Sequence, residues 1–261
     1  MHIYLSGQGA FAVQVAEALL DEGHKIVGAA APRLRKGQSD EGNAMCWDRL
    51  RSWAYPRDIP WTDSAELRAR HVPDGVDIIL AAHSHAFLGR ETRARAAVAA
   101  IGYHPSLLPL HRGRDAIRWT VRDGDKVTGG SVYHLTERTD GGPIAAQEHL
   151  FVPPGSTARS LWHDHLAPLG VRLLVKVVTD LAAGRRIEVP QDEALATWEP
   201  AMGAPPLFKP ELIALPGTAQ VDGSRWAPSP TSTPTPCSAT SPTTSTPSPR
   251  PPGPRQGHKP P

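Results

Sequence analysis

Residues 2–31 read HIYLSGQGAFAVQVAEALLDEGHKIVGAAA, and this stretch decides the fold class. HIYLSG is apolar and typical of a buried strand, and the segment after the glycine turn places Phe11, Val15 and Leu19 on one helical face. Gly23 stands where the C-cap of that helix is expected, and KIVGAAA follows as a second strand. A strand, a helix and a second strand in this order predict a βαβ unit with parallel strands.

The alternation of strands and helices continues along the chain. VDIILAA, residues 76–82, is apolar on both faces, as strands inside a parallel sheet covered by helices are. AAVAAIGYH and GGSVYHL read as further strands, and residues 156–183 have a helical pattern that Pro168 is expected to divide into two helices. We therefore predict an α/β fold over residues 1–200, a Rossmann-like, open, mostly parallel sheet with helices on both faces.

Composition and charge argue against several classes of protein. The 261 residues carry a formal net charge of +2, which gives no argument for a nucleic-acid-binding surface. The N-terminus lacks the features of a signal peptide, and no apolar run approaches the length of a membrane span. Cys46 and Cys237 lie far apart and show no metal or disulfide spacing, which fits a reducing compartment. We expect a cytoplasmic protein without a membrane or nucleic-acid partner.

The composition changes sharply near Gly217. We assign residues 201–216 to a proline-rich extension, and twelve of the 28 prolines lie from Trp226 onward. A segment so poor in apolar residues cannot offset its chain entropy by burial, so residues 217–261 are predicted to be a disordered Pro/Ser/Thr-rich tail. An inert solvated tail and a ligand for a proline-binding module both remain open.

GQGAFA, residues 7–12, follows a strand and opens a helix, which matches a weak form of the dinucleotide fingerprint. A dinucleotide site also needs an acidic residue after the second strand, and that strand ends in Ala-Ala-Ala-Pro followed by Arg33. Arg33 would suit the phosphate of NADP. A tight turn that needs small residues is the favoured interpretation, and a turn whose amides meet an anionic substrate group also remains open.

GYHPSLLPLHRG, residues 102–113, predicts a rigid, partly buried loop that presents His104 at a fixed angle. Asp140 precedes two glycines and a proline and follows the GGSVYHL strand. Strand ends of one polarity line a common crevice in an open α/β sheet, so we expect the two side chains to meet there. A carboxylate beside an imidazole is a general acid–base device. The alternatives are a histidine bonded within its own loop and an aspartate that only forms a turn.

His83 and His85 in HSHAFL are spaced as a pair of metal ligands could be. No third ligand has a supporting spacing, so we predict no metal site.

HPSLLP, the Arg-Gly pair after it, the GG-strand and D-G-G-P-I together resemble the folate-dependent formyltransferases over roughly residues 1–200. The resemblance implies a Rossmann-like sheet whose glycine turn does not bind NAD. It also implies 10-formyltetrahydrofolate as formyl donor and an amine as the usual acceptor. The family's catalytic histidine falls on His104 and its aspartate on Asp140. The position of its catalytic asparagine holds Gly102, a departure shared with the hydrolase domain of 10-formyltetrahydrofolate dehydrogenase.

The same resemblance assigns the pterin cradle of the folate site. It matches the loop HSHAFL, which implies that His85, Ala86, Phe87 and Leu88 bind the donor mainly through backbone groups, and we expect Gly102 to border it. Members of the family that formylate tRNA carry a second, C-terminal β-barrel. Residues 200–261 show no barrel pattern, so a tRNA substrate is disfavoured.

Three functions follow from these observations. The first is formyl transfer from 10-formyltetrahydrofolate to the amine of a small molecule by the pair His104 and Asp140. The second is hydrolysis of the same donor, which Gly102 favours because the family's asparagine donates to the developing oxyanion. The third is a folate-binding protein without catalysis.

Overall fold

The computed structural model of the chain describes residues 1–33 and 47–202. Across this part of the chain one sheet is formed by β1 His2–Gly7, β2 Lys25–Ala31, β3 Trp61–Asp63, β4 Ile78–Ala82, β5 Ala99–His104, β6 Val127–His134 and β7 Ile144–Phe151. The order across the sheet is β3-β2-β1-β4-β5-β6-β7. Strands β1 to β5 are parallel, whereas β6 and β7 are antiparallel to their neighbours. The predicted open, mostly parallel Rossmann-like sheet is confirmed.

The helices of the described residues are α1 Gly9–Asp21, α2 Arg49–Ala54, α3 Arg90–Arg93, α4 Ala116–Asp123, α5 Ala158–Ser160 and α6 Ala167–Ala182. Short 3₁₀ turns lie at Tyr55–Arg57, Ala69–His71 and Glu193–Leu195. A π-helical turn over Leu161–Leu166 joins α5 directly to α6. The predicted division near Pro168 takes the form of a change in helix type and not of a break, because the π-helical turn ends at Leu166, α6 begins at Ala167, and the backbone at the junction stays helical.

Both faces of the sheet are covered, which explains the continuous apolar strands. In β1, Ile3 and Leu5 point to the larger core under α1 and α6, whereas Tyr4 points to the smaller core on the opposite face. In β4, Ile78 and Leu80 join the larger core in the same way, and the residue between them joins the smaller one. Successive side chains of a strand point to opposite faces, so a strand buried on both must be apolar throughout.

The glycine turn before α1 is occupied by a side chain of the protein itself. The amide of Gly9 donates to Oδ2 of Asp48 over 2.8 Å, and the other carboxylate oxygen accepts from the amide of Leu50. Arg33, the phosphate ligand of the NADP interpretation, forms an ion pair of 3.1 Å with Asp63. A phosphate at this turn would have to compete with an aspartate. The geometry therefore supports the tight-turn interpretation.

Several predictions fall on residues outside the described part of the chain. They are the tail over residues 217–261, most of the extension over residues 201–216, and both cysteines, Cys46 and Cys237. Among the described residues, no helix is both long and apolar enough to cross a membrane.

Candidate active site

A cavity of about 730 Å³ opens at the carboxyl ends of β4 and β5, the edge of the sheet where open α/β folds bind ligands. Its walls come from the segments that follow these two strands and from the loop between β6 and β7. The residues that sequence analysis placed in the site all line this cavity: His85, Ala86, Phe87, Leu88, Gly102, His104 and Asp140. The structure thus brings the predicted residues together, while their roles stay predictions.

His104 is the last residue of β5 and is almost completely buried. Its Nε2 lies 2.7 Å from the backbone oxygen of His111. Because a carbonyl oxygen only accepts, Nε2 carries the hydrogen of this bond. The loop after His104 is held to β6 by Ser131, whose hydroxyl donates to the carbonyl of Ser106 over 2.7 Å and accepts from the amide of Leu108 over 3.1 Å. These bonds fix the loop and with it the direction of the imidazole.

Asp140 faces His104 from the loop between β6 and β7. Its Oδ2 lies 3.7 Å from Nδ1 of His104, too far for a direct hydrogen bond but within ion-pair distance of a protonated imidazole. Two donors hold the carboxylate, because the hydroxyl of Tyr133 donates to Oδ1 over 2.7 Å and the amide of Gly113 donates to Oδ2 over 2.9 Å. The backbone of Asp140 is left-handed, with φ 51°, a conformation that aspartate tolerates better than most residues.

The path that brings Asp140 to His104 differs from the predicted one. The prediction relied on strand ends of one polarity, but β5 and β6 are antiparallel, with Gly102 opposite Tyr133. The loop after β6 therefore has to fold back along the strand. Gly142 permits this return, since a Cβ at that position would collide with the backbone oxygen of the last residue of β6. The glycine of the D-G-G-P-I motif thus has a steric role.

Arg112, the arginine of the Arg-Gly pair, is the centre of a hydrogen-bond network that the sequence motif did not predict. Arg112 is only 2% exposed, and its guanidinium forms a bidentate ion pair with Glu193, with both N···O distances 2.9 Å. It also donates to Oε1 of Gln191 over 2.7 Å. The amide nitrogen of Gln191 then donates to the backbone oxygens of Asp140 and Gly142. The Arg-Gly motif is therefore connected to the loop that carries Asp140.

The two histidines of HSHAFL lie side by side, with ring centres 5.4 Å apart. The cavity walls crowd the ring of His83 although the residue is still accessible to solvent, and this desolvation, followed by the charge of His85, lowers the pKa of His83 to about 4. The pKa of His85 is lowered by burial first and by the cation of Arg114 second. Within residues 1–33 and 47–202, no group of three His, Cys, Asp or Glu side chains is placed to hold a metal ion. Neutral imidazoles at this wall suit packing against a flat ligand ring.

Replacing His83 with Asn is expected to make folding stability less sensitive to acid. The pKa of His83 in the folded protein, about 4, lies below its ordinary value of 6.5, so the unfolded chain binds the proton first. The free energy of unfolding of the wild-type protein therefore falls as the pH drops from about 6.5 toward about 4. Asn tolerates the left-handed backbone of this position, φ 57°.

Thermal melts at about pH 7.5 and about pH 5 measure this difference, since the drop in Tm should be smaller for His83→Asn than for the wild-type protein. His163→Asn, at an exposed histidine that does not line the cavity, is the control and should keep the wild-type drop. An equal drop in all three proteins would contradict the assignment.

Gly102 lies in β5, lines the cavity, and is close to the side chains of Tyr133 and Leu135. A Cβ at this position would lie 3.0 Å from Cδ2 of Leu135 and 3.5 Å from the ring of Tyr133. The contact with Leu135 is tight, so a side chain at position 102 would require that leucine to shift by a few tenths of an ångström, whereas the distance to the tyrosine ring is an ordinary van der Waals contact.

The fold and the cavity define an α/β protein with a cavity at the carboxyl edge of its sheet and an imidazole facing a carboxylate in the cavity wall. The family model described as formyl transferase matches residues 61–178. The methionyl-tRNA formyltransferase of Moorella thermoacetica is 31% identical over 217 residues, which are 81% of this chain and 67% of that protein. The chain belongs to the formyltransferase family.

Two further comparisons extend this result. The chain is 32% identical over 201 residues to the mitochondrial 10-formyltetrahydrofolate dehydrogenase of Mus musculus. The match covers 76% of the chain but only 22% of the dehydrogenase, so the chain spans about a fifth of that protein's length. The N-formyltransferase of Helicobacter canadensis, solved with folinic acid and dTDP-3-aminofucose, has the same fold, with a TM-score of 0.60 and 16% identity over 76% of this chain and 70% of that one.

Proposed function

We propose that this protein transfers a formyl group from 10-formyltetrahydrofolate to the amine of a small molecule. The observation that carries the proposal is the position of His104 and Asp140, which face each other across 3.7 Å in the wall of the ligand cavity. Formyl transfer forms a bond between the acceptor nitrogen and the formyl carbon and breaks the bond between that carbon and N10 of the folate. The acceptor nitrogen loses one proton, and N10, which leaves poorly unless it is protonated, gains one. An imidazole–carboxylate pair can deliver that proton.

In this proposal His104 acts as the acid of the reaction. Its Nε2–H is committed to the backbone oxygen of His111, whereas Nδ1 has no direct hydrogen bond to Asp140 at 3.7 Å. The proton on Nδ1 is therefore the one that a group entering the cavity can receive. Asp140 balances the charge of the imidazolium, and the developing negative charge of the carbonyl oxygen is stabilised by the same cation.

The donor is expected to lie against the loop after β4. His85, Ala86, Phe87 and Leu88 line the cavity there, and Phe87 is exposed although it is apolar and aromatic. An exposed aromatic side chain beside neutral imidazoles is suited to the flat pterin ring. The Helicobacter canadensis enzyme of the same fold was solved with folinic acid and an amino sugar nucleotide, which supports a folate and a small-molecule acceptor as the two substrates.

Hydrolysis of 10-formyltetrahydrofolate is the second candidate, because two observations favour it. Gly102 supplies no amide donor for the oxyanion, and removal of such a donor costs roughly 10²–10³ in rate in other enzymes. The chain also resembles 10-formyltetrahydrofolate dehydrogenases over 76% of its length. Water would then take the place of the amine, with the same roles for His104 and Asp140.

Absorbance-monitored turnover of 10-formyltetrahydrofolate tests both candidates, first without an acceptor and then with a panel of amines. We expect release of tetrahydrofolate that depends on an amine. Release at the same rate without any amine would identify a hydrolase. Tight binding of the folate without turnover under any of these conditions would contradict catalysis and leave a folate-binding protein.

A further inference from the structure

Tyr133 makes a contact that the reaction outlined above does not use. It lies in β6, is 8% exposed, and donates its hydroxyl hydrogen to Oδ1 of Asp140 over 2.7 Å. The other oxygen of the carboxylate accepts from the amide of Gly113 and faces His104. One side-chain donor and one backbone donor therefore fix the rotation of the carboxylate, and with it the direction of Oδ2.

The ring of Tyr133 also packs beside the glycine that lies opposite it in the sheet. Gly102 and Tyr133 form a cross-strand pair between β5 and β6. A Cβ on Gly102 would lie 3.5 Å from the tyrosine ring, an ordinary van der Waals distance, so the ring packs directly beside this position. Aromatic side chains commonly pack beside glycines in sheets. From this position the ring directs its hydroxyl at Asp140.

Tyr133 remains a hydrogen donor at any pH at which the protein works. Burial raises its pKa well above the usual value, and the charge of Asp140 and the hydrogen bond to it act in the same direction. A hydrogen bond from a neutral donor to a carboxylate is stronger than one between neutral groups. The left-handed backbone of Asp140 places the carboxylate on a turn, where the loss of one donor would free its side-chain rotation.

We propose that Tyr133 is a positioning residue of the active site, which holds the carboxylate of Asp140 toward His104. The inference rests on the proposed function, because it assumes that Asp140 and His104 act on a formyl donor. It goes beyond that function in assigning a role to a residue outside the His–Asp pair.

Tyr133→Phe is the test, because it removes the hydroxyl and keeps the ring beside Gly102. With 10-formyltetrahydrofolate as the probe, kcat should fall about 10- to 100-fold and KM should change less than about twofold, since a misdirected catalytic group costs rate and not binding. Tyr103→Phe is the matched control, because its buried hydroxyl also donates over 2.7 Å, but to the backbone oxygen of Leu166. That variant should lose similar stability in urea unfolding and keep kcat within about twofold.

A double-mutant cycle separates positioning from a general effect on the fold. In an Asp140→Asn background, Tyr133→Phe should lower kcat by less than about threefold, because the carboxylate that it positions is gone. A full additive loss in that background, or a wild-type kcat for Tyr133→Phe, would overturn the inference while leaving the proposed function standing. A wild-type protein without any turnover would overturn both together.

Discussion

Replacing His104 with Gln is expected to lower kcat for 10-formyltetrahydrofolate by about 10²–10⁴-fold, the range that a positioned proton donor contributes. Glutamine can still donate to the backbone oxygen of His111, which now accepts from Nε2 of the histidine. It has no group that releases a proton near neutral pH. The substitution therefore removes the acid while preserving the hydrogen bond that fixes the loop.

His134→Gln is a closely matched control. His134 is buried in β6, its Nε2 lies 2.9 Å from the backbone oxygen of Ile187, and its Nδ1 lies 3.8 Å from Glu188. In each of the two histidines, Nε2 thus bonds a backbone oxygen and Nδ1 faces a carboxylate, but of the two only His104 lines the cavity. We expect comparable shifts in Tm for the two variants and a large loss of kcat for His104→Gln alone. Wild-type turnover by His104→Gln, or an equal loss in both variants, would remove His104 from the reaction.

The sheet could be predicted from the sequence wherever a strand is buried on both faces. HIYLSG, KIVGAAA and VDIILAA are mostly apolar, because the larger core covers them on one face and the smaller core covers them on the other. β7 was not predicted, since it lies at the edge of the sheet and its apolar and polar residues do not alternate along the sequence. Its segment also contains alanine and glutamate, which are depleted in strands, so neither periodicity nor propensity marked it.

The site was predictable to the extent that short motifs carry it. His104 and Asp140 follow from HPSLLP and D-G-G-P-I, whose prolines and glycines shape the two loops. Tyr133 and Gln191 could not be predicted from these motifs, because each is connected to Asp140 by a hydrogen bond that forms only in the folded chain. The meeting of His104 and Asp140 was predicted for an incorrect reason, since β6 runs antiparallel and the loop after it folds back.

The largest effect on stability is expected at Arg112, a residue of the Arg-Gly motif. Arg112→Met should lower the free energy of unfolding by about 2–4 kcal/mol, because it leaves the side chains of Glu193 and Gln191 without their shared donor. The pKa of Glu193 is lowered, chiefly by its hydrogen bond with Arg112, so the substitution removes the main group that stabilises the charged carboxylate. Glu193 is about one-third exposed, and water can partly replace the guanidinium, which keeps the loss below that of a fully buried pair.

Arg172→Met is the comparison that shows how much the burial of the ion pair contributes to the loss of stability. Arg172 also forms a bidentate pair with a glutamate, Glu148, at 2.7 and 2.8 Å, but its side chain is 60% exposed. An exposed pair of this kind contributes about 1 kcal/mol or less, so urea unfolding should show a clearly smaller loss for Arg172→Met. Arg112→Met should in addition lower turnover, because Gln191 binds the backbone of Asp140 and is itself held by Arg112. Equal losses of stability in the two variants would mean that the buried network does not hold the Asp140 loop.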